Sequence, residues 1–422
     1  MRSARLGISA TFLVCGFGMA TWVVHIPSIV DHVDTDDGGL GLLLLVMGVA
    51  SIIAMQLGGL LAARLGSKAL CLMGAPLMAA SLVIVGLMPN VWWLGVALVV
   101  LGAGQSLLDI GMNDQAVRVE RGYGRPIMGS VHAFYSIGGA LGAALGGPLQ
   151  HLGWPIVASM TLMAALTLLG QVLVMRTLLP GVDSTGATGA MPVVAVATGA
   201  IPVVMPDAAA SGSAGRDHTS SGGTAPFGAK APSVLRMGLI LAFLAASFFL
   251  AEGTVSDWSG RHAVAELAID PAAASLGYGV FSVGMTIMRF AIDPISHRIG
   301  AMNVVRFGAM TAALGVLLVI LVPSHPVSVV GWGIYGLGLA GIVPQLFSAA
   351  GSLVKGPKAP VVLSRVVGAG YAGLLVGPAV IGWLSGLVGL TGAFWLPFCL
   401  CLLGVFLTLA LPPDKAEPVS SR

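Results

Sequence analysis

Residues 101–122 read LGAGQSLLDIGMNDQAVRVERG. The stretch opens with small and apolar residues and ends in a charged segment containing Arg118, Glu120 and Arg121. That order suits a helix that crosses a bilayer and then emerges into water. Within it Gln105, Asp109 and Asn113 recur every fourth residue, which places them on one helix face, with Ser106 alongside. A carboxylate at the centre of a membrane helix costs about 2.5–3.5 kcal/mol on insertion scales. Asp109 is therefore expected to face a wet cavity or a partner rather than lipid.

The rest of the chain matches this reading. Of its 422 residues 56% are hydrophobic and only 9% charged, against about 25% charged in soluble domains. The 60 glycines suit helices that approach closely in lipid. A net charge of +3 gives no reason to expect a nucleic-acid partner. Cys15, Cys71, Cys399 and Cys401 lie in apolar runs without metal-ligand spacing and are read as small apolar residues. Arg2 and Arg5 precede a long apolar run, which is read as a first span rather than a cleaved leader.

A span needs about 20 mostly apolar residues. That length predicts twelve spans, at 6–30, 40–63, 69–88, 91–116, 127–150 and 154–178, and then at 235–258, 273–296, 301–322, 326–351, 361–387 and 390–412. The expected fold is an all-α membrane protein with two pseudo-symmetric six-helix bundles, residues 1–179 and 234–413. Between them, residues 180–233 are rich in Gly, Ala, Ser, Thr and Pro and are expected to be a low-complexity linker. Residues 414–422 form a tail. With the N-terminus in the cytoplasm, nearly every Lys and Arg falls on the cytoplasmic side, and Arg261 alone falls in an outer loop. Both termini and the linker are thus expected in the cytoplasm of a bacterium, with the bundle in its plasma membrane.

The loop after the second span, Gly59-Leu-Leu-Ala-Ala63-Arg64-Leu-Gly66-Ser-Lys68, resembles the inner-loop motif of the major facilitator superfamily. Ala63 stands where that family carries an Asp, so half of the family's cytoplasmic gate pair is missing. Arg289, Asp293, Arg298 and Gly300 form the corresponding loop of the second half. The segments His25-Ile-Pro27, Asp109-Ile-Gly-Met-Asn113, His132-Ala-Phe-Tyr-Ser136 and Ala251–Trp258 resemble a bacterial branch similar to the fucose permeases. The resemblance implies solute transport by rocking of two halves. It also implies gating by Arg64, Lys68, Arg289, Asp293 and Arg298, and Asp114, nearer the cytoplasmic water, is expected at the gate or the surface.

Asp109, Glu252 and His132 are the expected proton-coupling residues. Trp22, His25, Gln105, Asn113, Tyr135 and Gln345 are candidates for the solute path. Arg289 is placed near the end of its span, so Glu252 is expected to lack a cationic partner. Buried acids without buried cations suit proton exchange and a small neutral polar solute, or a cation, better than an anion. The expected activity is proton-coupled symport of a sugar-like solute, powered by the proton gradient with no cofactor, in a monomer. Antiport-type export and a non-transporting membrane sensor are the alternatives. No HExxH, GxSxG or nucleotide-loop pattern suggests an enzyme.

Overall fold

The computed structural model describes residues 1–123, 127–180, 234–353 and 359–411. The expected linker and tail, apart from Pro180 at the linker's edge, lie outside the described residues. Among the described residues the chain is helical, without strands. The first half holds α1 (Arg2–His32), α2 (Asp37–Leu65), α3 (Ser67–Leu87), α4 (Val91–Tyr123), α5 (Met128–His151) and α6 (Ile156–Val174). The second half holds α7 (Val234–Ala265), α8 (Pro271–Ile299), α9 (Ala301–Leu321), α10 (His325–Leu339), α11 (Ile342–Ser352), α12 (Ala359–Ala393) and α13 (Trp395–Leu409).

Among the described residues ten segments are long and apolar enough to cross a membrane, with α10 and α11 counted as one. The remaining two of the twelve spans are α5, whose glycines, serines and histidines lower its hydropathy, and the shorter apolar α13. The break between α10 and α11 falls at Ala340–Gly341. Pro344 follows four residues after Ala340 and has no N–H to continue the ladder onto that carbonyl. A second break, at Gly389 (φ 73°), divides α12. Glu266, just past the end of α7, accepts the Leu390 N–H at 2.8 Å and so caps the start of the last span.

The two halves repeat one another in detail. The tight α2–α3 and α8–α9 turns each pivot on a glycine with positive φ, Gly66 (79°) and Gly300 (83°). Within each half a glycine-lined seam joins the third and fourth spans. A Cβ on Gly104 would meet the Met78 nitrogen at 2.6 Å, and one on Gly315 would meet the Gly331 oxygen at 2.5 Å. Between the halves α2 packs on α12 and α5 on α8. A two-fold that exchanges each span with the sixth one after it converts one of these contacts into the other.

All helices begin or end at one of two faces. The terminal face carries the start of α1 and the α2–α3, α4–α5 and α8–α9 turns. The far face carries the α1–α2, α7–α8 and α9–α10 connections. The exposed tryptophans Trp92 (83% exposed), Trp93, Trp154, Trp383 and Trp395 all sit toward the far face, as in the aromatic belt of a membrane interface. Leu57, Leu60, Leu173 and Phe406 stay exposed on helix flanks, where lipid would cover them.

Candidate functional site

The polar stripe on α4 faces inward. Gln105, Ser106 and Asp109 line a cavity of about 270 Å³ between the halves, walled by α1, α2, α4, α5, α7, α8 and α12. Asp109 is only 7% exposed. Asn113 lies behind it, one turn on, and donates from Nδ2 to the Asp109 backbone oxygen (2.9 Å) and to its Oδ1 (3.0 Å). Asn113 is thus a positioning residue for the carboxyl and does not line the cavity. Asp109 Oδ2 and Gln105 Oε1 have no protein partner. A buried oxygen of that kind calls for a proton, water or a ligand.

The second acid lies opposite, on α7. Glu252 Oε1 is 3.7 Å from Arg289 Nη2 on α8. The expectation of a Glu252 without a cationic partner is therefore corrected. The same arginine donates from Nη1 to Ser136 Oγ (2.8 Å) and to the His132 backbone oxygen (3.3 Å) on α5. Arg289 thus lies in the cavity wall and ties the two halves together, deeper than the sequence placed it. The physical reason is depth: α8 continues ten residues beyond Arg289 to Ile299, about 15 Å at 1.5 Å per residue. The sequence-based span ended nearer to it.

His132 is 4% exposed and lines the cavity. Its ring stands edge-on to Phe12, with centroids 4.6 Å apart, and its Nε2 is without a partner. Tyr135, Tyr278, Phe249, Phe281 and Tyr371 supply ring surface to the cavity, and Met19, Met47, Met55, Met112 and Met285 supply soft apolar surface.

Besides Asn113, three further solute-path candidates lie outside the cavity lining. Trp22 is fully buried and does not line the cavity. His25 binds the Thr21 backbone oxygen (2.7 Å) through Nδ1 and Ser159 Oγ (2.8 Å) through Nε2, which pins α1 to α6. Gln345 Oε1 accepts from Ser296 Oγ at 3.1 Å, outside the central cavity. Of the gate candidates, Arg64, Asp114 and Arg298 are exposed and Lys68 is partly exposed, all near the terminal face. No ion pair joins these four among the described residues. The side chain of Asp293 lies outside them.

The closed side is the far face. Arg261, expected in a loop, is part of α7, because that helix continues to Ala265. Its Nη1 lies 3.0 Å from Asp31 Oδ1 and its Nε 2.8 Å from Asp37 Oδ1, so one guanidinium of the second half clamps two acids of the first. Around this clamp Gly41 abuts Pro378 and Ala379, and Gly147 abuts Ala272 and Ser275. The sequence held one hint of the clamp: a lone far-side arginine opposite the acidic run Asp31–Asp37.

Two interlocked six-span bundles around a central cavity that carries buried carboxyls define the class of membrane solute transporters. The matches narrow this to a family. Residues 7–260 and 241–422 match the Major Facilitator Superfamily. The chain is 31% identical over 396 residues to an uncharacterised MFS-type transporter of Yersinia pestis, covering 93% of this chain and 91% of that one. It is 29% identical over 403 residues to an uncharacterised transporter of Sinorhizobium fredii, covering 96% and 95%. Among solved structures, a mutant of the nucleoside transporter NupG superposes with a TM-score of 0.69 at 15% identity, over 96% of this chain and 98% of that one. The chain belongs to the major facilitator superfamily and is a multi-pass membrane protein.

Proposed function

We propose that this transporter moves a small, polar, sugar-like solute by proton-coupled symport in a bacterial plasma membrane. One observation carries the proposal: a single cavity between the halves holds a buried carboxyl with one oxygen unpartnered, Asp109, and a second carboxyl, Glu252, tied to Arg289. Asp109 serves as the proton site. The cavity offers hydroxyls from Ser51, Ser106, Ser256 and Ser282 beside ring faces, the mixture that a polyhydroxylated solute with an apolar face would meet. Because Arg289 is engaged by Glu252, the cavity does not call for an anion.

The terminal face carries Arg2, Arg5, Arg64, Lys68, Arg176 and Arg298 and is assigned to the cytoplasm by the positive-inside rule. The Arg261 clamp then closes the outer side, and the cavity belongs to an inward-facing state. Residues 1–179 and 234–413 are the rocking units, with a cytoplasmic linker between them. The protein acts as a monomer, with the proton gradient as its energy source and no cofactor.

The test is transport in proteoliposomes with an imposed proton gradient. Asp109→Asn is expected to abolish solute-dependent proton uptake while leaving counterflow exchange, which needs no net proton movement. Unchanged proton uptake in that variant overturns the assignment. The five methionines and five ring residues named above give one observation in favour of antiport-type export of a less polar metabolite. The sign of the solute-driven pH change separates the two: symport acidifies the compartment that receives solute, and antiport makes it more alkaline.

A further inference from the structure

We infer that the transported solute carries a positively charged nitrogen and that Asp257 holds it. This rests on the transport reading above and names its solute more closely. Three carboxyls line the cavity, Asp109, Glu252 and Asp257, against one guanidinium, that of Arg289. Arg289 is held by Glu252, by the Ser136 hydroxyl and by the His132 carbonyl. Asp109 has Asn113 on one oxygen and sits almost sealed. Asp257 has neither hydrogen bond nor ion pair among the described residues, and it is partly exposed where the cavity meets α7.

The nearest cation on the same helix is Arg261, one turn further along and within reach of an i, i+4 pairing. It is drawn away instead by Asp31 and Asp37. A carboxylate in a mostly apolar cavity is costly without a counter-charge. The chain supplies no cation to Asp257, so it is met either by a proton or by a charge carried in with the cargo, and its exposure to the cavity, unlike the sealed Asp109, suits the cargo.

Two further features of the cavity suit an ammonium-bearing solute. The rings of Tyr278 and Phe281 lie 6.3 Å apart at 34°, and both line the cavity. Ring faces attract cations electrostatically. On the opposite wall His132 Nε2 and Asp109 Oδ2 are unpartnered, on residues more than nine-tenths buried. Beside them Ser51, Gln105 and Ser106 of the first half line the cavity and offer polar atoms to the hydroxyls of the same solute. The cargo is therefore a compact polyol-like molecule with one amine, gripped at the amine by Asp257 and at its hydroxyls from the first half.

Matched pairs of compounds test this on the purified full-length protein. Glucosamine is compared with glucose, and 1-amino-1-deoxysorbitol with sorbitol, by thermal shift and then by competition in counterflow. The amine of each pair is expected to bind the wild type at least about tenfold more tightly than its neutral partner, the scale of a hydrogen bond to a charged group. Asp257→Asn, which preserves shape, is expected to erase that preference, and Asp257→Glu to restore part of it. Equal or tighter binding of the neutral members overturns the inference and leaves sugar transport standing. A loss of both members alike in Asp257→Asn also overturns it, since Asp257 would then be acting on the fold or on proton coupling. Binding of no member of either pair counts against the sugar-like reading itself and takes the inference with it.

Discussion

Asp109 and Glu252 are carboxyls in one cavity, yet their surroundings differ. Asp109 is nearly sealed, with a neutral amide as its partner, whereas Glu252 faces a guanidinium that also bridges to α5. Neutralising Glu252 would leave Arg289 without its counter-charge. Glu252→Gln is therefore expected to lower stability by roughly 1–3 kcal/mol, the usual cost of an unpaired buried polar group. The double variant Glu252→Gln/Arg289→Gln should recover part of that loss, as measured by thermal unfolding in detergent; no recovery would show that the pair is not coupled. The α4 stripe could be read from the sequence because helical spacing places Gln105 and Asp109 on one face. The roles of His25 and Trp22 could not. The histidine's partner, Ser159, is 134 positions away in the chain, and no spacing rule reaches that far.

At the scale of elements, the span count followed from hydrophobic length alone, because lipid sets the length of a span. The breaks were only partly legible. The tenth span carries glycines and Pro344 around its interruption at Ala340–Gly341, a composition that signals a break without placing it. The capping of Leu390 by Glu266 depends on α7 extending past its expected end. The glycine turns are the firmest test at this scale. Gly300 has φ 83° and ψ 154°, a region essentially confined to glycine in which another residue costs about 1–3 kcal/mol. Gly300→Ala is expected to lower stability by about 1 kcal/mol, read as a lower melting temperature, without altering solute affinity. A changed affinity at unchanged stability would instead give this turn a part in the site.

For the whole molecule, charge distribution and the six-plus-six pattern were enough to anticipate two bundles. They did not show which residues of one bundle meet those of the other. Arg289 and Arg261 both cross that boundary, and each was assigned elsewhere from sequence because its partners in the other half lie more than 150 positions away. If the Arg261 clamp holds the far face shut, Arg261→Ala should shift the population toward the state open on that side. Spin labels at the far ends of α1 and α7 would report this as a longer mean distance. An unchanged distance distribution would show that the glycine contacts of α2 with α12 and of α5 with α8 suffice to hold it closed.

The two acids of that clamp are not equivalent. The Asp31 side chain is 56% exposed and that of Asp37 only 21%. Mobile ions screen exposed charges within about 8–10 Å at physiological ionic strength, and partly buried ones much less. The bond to Asp31 should therefore weaken first as the surrounding medium becomes more saline, and the bond to Asp37 should persist. With the far face outward, as proposed, the clamp would lose one of its two bonds as external salinity rises and keep the other, with no ligand and no modification involved.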